Sequence, residues 1–554
     1  MPSYRINPYV SFIENRLFEG IQRAVFHRLS GEIIDYDFKS SLTADPVQLQ
    51  RLVQSAFLVS EDYDPLSPFL DWYIARPVQN PALTYRSKTG DRTLVRTSME
   101  HTVYSPKRDE VPVVIEEQLS PLAAGIFLAA DGTQTLQQIF SELRKERDRA
   151  DLLEDTEFRE ALDFLTSQER QLIKLTPRRE DLANPFSNVS IVPRNLYHSE
   201  RRDQPHAGSA NETIIDFHLH GIEEAAWEFD FIEPTVNHSF RFPHEALGGL
   251  DYGARFCLAT LQPEVTPLLN RSNDLKVLEV GGGTGSFARS FITQAKKLSK
   301  PRVSYHILEL SPALMESQRK LLSDVLHPSN HFHQDATEFD LSGYCFDLIV
   351  SNEVIADFPV ASVERDTSGG DRKWRGDGAH YLEMYGLSDE NASDSFVVNA
   401  GVFRFFERAW KHLRPGGTLI VSEYGSEHQY AARSYHLNHD EYTIHFGHLA
   451  ACAAKIGFNC RLLSLKEFLE IDDETLVLSG REEHLLCLNH LFKNYGEVIP
   501  YAIISKSDFH RRWGGIVEET GLIGYSFSPL NAGYHYGPNI KDFFVLIMNK
   551  PEEI

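Results

Sequence analysis

An α/β fold built on a parallel sheet covered on both faces is predicted for the C-terminal two-thirds of this chain. Three observations predict it: short apolar runs alternate with amphipathic segments from about residue 270, a glycine-rich turn follows the first apolar run, and a Ser-Pro helix start follows the second. Residues 275–280 form a short, fully buried strand that breaks at 281–285, and 286–298 then shows helical spacing through Phe287, Phe291 and Leu298. A second strand over 303–310 ends at Ser311-Pro312, where serine caps and proline fits the first turn of a helix over 312–326. Residues 346–351 read as a further strand. Residues 403–413 read as a helix with Phe406, Ala409, Trp410 and Leu413 on one face, stopped by Arg414-Pro415-Gly416-Gly417 ahead of a strand over 418–423. Between these, 364–395 is polar and rich in glycine (Gly369, Gly370, Gly376, Gly378), and reads as an insertion without regular elements, of the kind that forms a lid.

The N-terminal third has a different character. Leu122, Ile126 and Leu128 precede Asp131-Gly132-Thr133, and Leu136, Ile139, Phe140 and Leu143 then recur at helical spacing; 158–165 continues as helix and 172–175 as strand. This is the pattern of a small α+β, winged-helix-like module. A polar, proline-containing stretch from 177 to 205 reads as a linker. The expected division is therefore a unit of unassigned type over 1–105, the small module and linker over 106–200, and the α/β domain over 201–554.

A chain of 554 residues exceeds what one core usually organises. Its formal charge of −24, from 55 Lys+Arg against 79 Asp+Glu, argues against a nucleic-acid partner, which calls for a basic stripe. Five cysteines without CxxC spacing indicate neither a disulfide framework nor a zinc site, and no metal is expected. The N-terminus lacks a signal pattern and no apolar run is long enough to span a bilayer, so a cytoplasmic protein without a membrane partner is expected.

The chemistry concentrates at Glu279-Val280-Gly281-Gly282-Gly283-Thr284-Gly285. Glycines here allow a tight strand-to-helix turn and close approach of backbone to a ligand. The G-x-G-x-x-G spacing of a dinucleotide site would place its last glycine at Ser286, so that fingerprint is absent. The spacing Glu279, Gly281, Gly283, Gly285 instead resembles the E-x-G-x-G-x-G turn of class I methyltransferases. That likeness implies a Rossmann-like, seven-stranded sheet and S-adenosyl-L-methionine as cofactor. Glu309, followed by Leu310 at the end of the second strand, stands where a carboxylate accepts hydrogen bonds from ribose hydroxyls, and Asp335-Ala336 stands where a side chain meets an adenine amino group.

The fourth strand runs into Ser351-Asn352-Glu353-Val354-Ile355-Ala356-Asp357-Phe358-Pro359-Val360, which resembles the N-E-x-x-D-A-x-P-V stretch of the MidA-like methyltransferases, the family that includes the mitochondrial complex I assembly arginine methyltransferase. Residues 307–318 (ILELSPALMESQ), 419–425 (LIVSEYG) and 441–445 (EYTIH) resemble further stretches of that family, with Thr443 and His445 retained. Asp357 is displaced by one place and Gly447 replaces an aspartate. The resemblance spans about residue 210 to the C-terminus and implies cofactor contacts at Glu279, Gly281, Gly283, Gly285, Glu309, Leu310, Asp335, Ala336 and Asn352. Catalytic candidates are Glu353, as a carboxylate that orients or deprotonates a nitrogen nucleophile, with Tyr424 and His445 behind it. Residues 111–143 (VPVVIEEQLSPLAAGIFLAADGTQTLQQIFSEL) resemble the PqqD-like modules of peptide maturation, which hold a leader peptide as an added strand. Together these imply methylation, on nitrogen, of a peptide or protein that the N-terminal region recruits. A small-molecule O- or N-methyltransferase whose front domain forms a homodimer, and a non-catalytic assembly factor that only binds the cofactor, are the alternatives.

Overall fold

The computed structural model describes residues 4–17, 20–29, 33–35, 46–76, 82–98, 113–146, 155–167, 170–177, 235–298, 301–366, 373–436 and 439–552. The predicted linker from 178 onward lies outside them. The chain forms two compact units, one of residues 1–206, 479–500 and 507–526, the other of 207–478, 501–506 and 527–554.

In the first unit, Ser120 caps the helix Pro121–Ala129 through its hydroxyl to the Ala123 amide, and Pro121 occupies the first turn. The strand Asp131–Thr135, which is not predicted, follows, and then the helices Leu136–Glu146 and Asp155–Thr166 and the strand Lys174–Thr176 where helix and strand are expected. The division expected at residue 105 is not what forms. Tyr73–Ala75 is the central strand between Asp131–Thr135 and Lys174–Thr176, and one core joins Tyr9, Leu29, Phe69, Ile74 and Leu94 to Phe127, Ile139, Leu162 and Leu175. A sheet of three short strands needs its middle one, and here that strand comes from upstream of the module. Nor does the α/β domain run unbroken from 201 to 554, because 479–500 and 507–526 cluster with the first unit.

The second unit is a seven-strand path: β1 Asp274–Val280, β2 Arg302–Glu309, β3 His331–His333, β4 Phe346–Asn352, β5 Leu413–Ser426, β6 Asn459–Ser464 and β7 Phe543–Asn549. Their order is β3-β2-β1-β4-β5-β7-β6, with Ile444–His445 added to the end of β5. The first five are parallel, and β7 runs antiparallel to both neighbours. This is the class I methyltransferase topology. β4 is buried along six of its seven residues, which is why its centre, Leu348-Ile349-Val350, is continuously apolar rather than alternating.

Two cores cover the two faces. Helices α1 Tyr252–Thr260 and α2 Ser286–Lys297 bury Phe256, Phe287 and Phe291 on one side. After α3 Pro312–Leu321, helices α4 Ala400–His412 and α5 Phe446–Ile456 bury Phe403, Phe406, Ala409 and Leu449 on the other. Each large apolar side chain contributes about 1.5–3 kcal/mol on burial, so the register of α4 is set by its Phe403–Phe406 face. Two expectations are corrected. The helix predicted to 326 ends at Leu321, and the described residues of the supposed irregular insertion form regular elements: Ala361–Asp366 pairs with Lys373–Arg375 and Ser395–Val398, with a helix at Ala379–Tyr385. Its glycines hid the strands because two of them serve packing: a Cβ on Gly376 would lie 2.6 Å from the Ser362 carbonyl oxygen, and one on Gly378 2.7 Å from Val363.

Candidate functional site

Strand order reverses between β1 and β4, and a crevice opens outside their carboxyl ends, as it does in open α/β sheets. The cavity there encloses about 1070 Å³, open solvent included. β1 delivers Glu279 and the glycine turn, β2 delivers Glu309 and Leu310, the segment after β3 delivers Asp335, Ala336 and Thr337, and β4 delivers Asn352, Glu353 and the loop through Pro359.

The turn is shaped by sterics. Gly281 has φ 72°, and a Cβ there would lie 2.5 Å from Val354 Cγ2, so only hydrogen fits between the two loops. Gly283, with φ 50°, faces open space on its Cβ side and lines the cavity. Gly285 is predicted to touch cofactor but does not line the cavity. It is the N-cap of α2, and a Cβ there would meet Gln318 Cα at 3.3 Å, so its place is set by the approach of α3.

The acids are held by specific donors. Glu309 accepts the Ser311 amide on Oε1 (2.9 Å) and Gln318 Nε2 on Oε2 (2.8 Å), and the same Gln318 nitrogen reaches the Gly283 carbonyl at 2.9 Å. Gln318 therefore locks the acid of β2 to the turn after β1. Glu279 accepts the Tyr305 hydroxyl at 3.1 Å; burial pushes its carboxyl up to about 8 against that bond, and the Glu309 charge adds to the rise. Asp335 Oδ1 accepts both the amide and the hydroxyl of Thr337, which fixes its side chain at the cavity wall.

Glu353 sits at the end of β4 with φ 55°, a left-handed backbone uncommon outside glycine. Its carboxylate accepts the amides of Val236 (2.7 Å) and Asn237 (3.2 Å) and Asn352 Nδ2 (3.1 Å), and Asn352 Oδ1 accepts the Tyr252 hydroxyl at 2.7 Å. Burial raises the Glu353 carboxyl to about 7, opposed by those three donors. The other two catalytic candidates are not brought to the cavity. Tyr424 is 43% exposed with its ring against Phe543, and His445 is the N-cap of α5, accepting the His448 amide on Nδ1 and stacking on that residue's ring at 3.8 Å. The reason is local: α5 starts immediately after His445, so the imidazole serves its own helix.

Sequence reasoning missed Thr235 and Asn237, which form one wall, and Ser286, which accepts Asn237 Nδ2 at 3.1 Å. The wall comes from a single helical turn, Val236–Ser239, well upstream of β1, where no strand pattern pointed. Glu423 was also missed, although an acid at the end of a central strand was legible. It accepts the Tyr424 and Ala356 amides; burial above all, with the charges of Glu353 and Asp357, raises its carboxyl well above the usual range.

Five acidic side chains line the cavity (Glu279, Glu309, Asp335, Glu353, Asp357), and among its described lining residues there is no Lys, Arg or His. That acidic set repels a pyrophosphate and favours a ligand with cationic centres. S-adenosyl-L-methionine fits it: a sulfonium and an ammonium answer the acids, and the carboxylates of Glu309 and Asp335 keep acceptor capacity for ribose and adenine. Among the described residues no group of His, Cys, Asp and Glu is placed to hold a metal ion, and no helix is long and apolar enough to cross a membrane.

A family model names the same cofactor. Residues 254–433 match the family described as "putative S-adenosyl-L-methionine-dependent methyltransferase". Among solved structures, the chain is similar to a Burkholderia thailandensis "likely methyl transferase" bound to S-adenosyl-homocysteine, at 16% identity and TM-score 0.33, over 68% of this chain and 96% of that one. It is also similar to Haemonchus contortus phosphoethanolamine N-methyltransferase 2 with S-adenosyl-L-methionine, at 14% identity and TM-score 0.31, over 62% and 61%. No curated protein matches. The family match, the strand order and the acid-lined cavity together define an S-adenosyl-L-methionine-dependent methyltransferase.

Proposed function

We propose that the enzyme methylates a nitrogen of a peptide or protein, and that the N-terminal unit recruits that substrate. The observation that carries the nitrogen assignment is the acidic, base-free cavity: beyond the cofactor acids, Asp357 with Phe358 and Pro359 lines its wall after β4, where an anionic group next to an apolar ring suits a cationic amine or guanidinium. The bound cofactor supplies a methyl on a sulfonium, and transfer needs an in-line nitrogen lone pair. The protein's part is to hold that nitrogen and accept its proton, and Asp357 is the carboxylate we assign to this. Glu353, with three donors on its carboxylate, has less capacity for the same task. The recruiting role rests on the winged-helix-like order of helices and strands around Asp131–Thr135, which agrees with the PqqD-like resemblance, while the stretch at Asn352–Pro359 carries the MidA-like one.

The test uses the full chain, because a truncated chain beginning near 205 would strip residues 479–500 and 507–526 of the unit they belong to. Enzyme and S-adenosyl-L-methionine with a deuterated methyl are incubated with lysine- and arginine-containing peptides, or with amine metabolites, and products are read by mass spectrometry. Label on peptide nitrogen that survives alkali supports the reading. Label confined to small molecules, or lost as an ester in alkali, overturns it.

A further inference from the structure

The strongest unexplained feature of the site is the use made of Glu353. A left-handed φ of 55° is paid for by the surroundings only when the geometry it gives is needed, and such residues gather at functional sites. Here the turn throws the side chain back from the strand end onto the backbone of Val236 and Asn237. The first amides of a helical turn lack partners within it, and in Val236–Ser239 all three are accounted for: Glu353 takes those of Val236 and Asn237, and Thr235 Oγ1 takes that of His238 at 3.0 Å. The rest of the strand end supports this grip. The Glu353 amide donates to the Ser422 carbonyl at 2.8 Å, Asn352 Nδ2 holds one carboxylate oxygen, and the buried Tyr252 hydroxyl holds Asn352. From the clasped turn, Thr235 and Asn237 face the cavity, and Asn237 bridges to Ser286 at the start of α2.

We infer that Glu353 is a positioning residue: with Asn352 and Tyr252 it forms a clasp that fastens the Thr235–Asn237 segment as a wall of the cofactor cavity, and cofactor affinity depends on that clasp. The inference rests on the cavity being the cofactor site. It separates Glu353 from Asp357, since a clasp acts on cofactor binding and a proton acceptor acts on turnover. It also assigns the sequence Asn352-Glu353 a joint purpose, because the amide of one orients the carboxylate of the other.

The experiment compares wild-type protein with Glu353→Gln and Tyr252→Phe, reading the dissociation constant for S-adenosyl-L-methionine by calorimetry and amide hydrogen exchange of residues 235–239 without ligand. Neither readout requires the methyl acceptor. Glutamine keeps the shape but turns one acceptor into a donor facing a backbone amide, so Glu353→Gln is expected to weaken binding at least about tenfold and to accelerate exchange in 235–239. Tyr252→Phe, which removes no cavity atom, is expected to shift both readouts in the same direction by a smaller factor. A folded Glu353→Gln protein with cofactor affinity within about twofold of wild type, or with unchanged exchange at 235–239, overturns the clasp. Should Glu353→Gln fail to fold, Tyr252→Phe decides, and wild-type affinity and exchange in that variant overturn it. Failure of wild-type protein to bind would instead sink the cofactor site itself.

Discussion

Cofactor binding should release protons, and the number is calculable. Glu279, at about 8, and Glu353, at about 7, face a cavity without a single basic side chain among its described lining. At pH 7 a carboxyl of pKa about 8 carries about 0.9 proton and one of about 7 carries about 0.5. A cationic ligand next to them favours the ionised forms, so binding of S-adenosyl-L-methionine at pH 7 is expected to release about 0.9 proton if Glu279 alone ionises and about 1.4 if Glu353 follows. For Glu279 alone the affinity should tighten about ninefold between pH 6 and pH 7. Calorimetry at pH 7 in buffers of different ionisation enthalpy reads the proton count as a slope. Glu279→Gln should lower that slope to what Glu353 supplies, no more than about 0.5. Measurable binding with a slope of zero in wild-type protein would refute the argument that burial holds these carboxyls protonated until a cation arrives.

The remaining predictions concern single positions. Gly281→Ala, whose Cβ would strike Val354 at 2.5 Å, should destabilise the domain by a few kcal/mol, whereas Gly283→Ala meets nothing within 4 Å and should cost only about 1–2 kcal/mol while its methyl obstructs the cofactor. Thermal melts and calorimetry on the two variants separate the cases. Glu309→Ala leaves the Ser311 amide without its acceptor and Gln318 Nε2 with the Gly283 carbonyl in place of two acceptors, and should lower stability by about 1–3 kcal/mol as well as cofactor affinity by at least about tenfold. The same melts and titrations read both effects. Burial holds His445 down to about 4, and the neighbouring His448 is lowered too. Between pH 4 and about 6.5 the unfolded chain therefore binds a proton that the folded imidazole refuses, so this term is fully present above about 6.5 and is lost as pH falls toward 4. The buried glutamates titrate with the opposite sign, so the comparison must be against His445→Asn, which keeps an N-cap and should flatten the acid limb of a denaturation series. An identical acid limb in the two proteins would dismiss the assignment.

Much of the site was legible because a strand-end position is a sequence property. Glu279 ends β1, Glu309 ends β2, and Asn352-Glu353 ends β4. In a parallel sheet all such ends open on the same side, so finding the strands found the acids. His445 and Tyr424 failed for the complementary reason, since they too lie at or near strand ends but their side chains answer to a neighbouring helix and to Phe543. Gln318 lies within α3, which carries no motif glycine, and nothing in its local pattern says that its amide joins Glu309 to Gly283.

By itself the sequence determined the alternation of strands and helices, the glycine turn and the acids at the strand ends, because these follow from local periodicity and steric permission. Tertiary structure alone decided that Tyr73–Ala75 completes the sheet of a module well downstream of it, that 479–500 and 507–526 belong to the first unit, and that Thr235 and Asn237 close the cavity wall. It also decided what Glu353 does: a carboxylate at a strand end is free to act on substrate until another part of the chain presents it with backbone amides, and those amides come from more than a hundred residues away. Long-range hydrogen bonds leave no periodic trace in the residues that make them, which is why this role was read only from the folded chain.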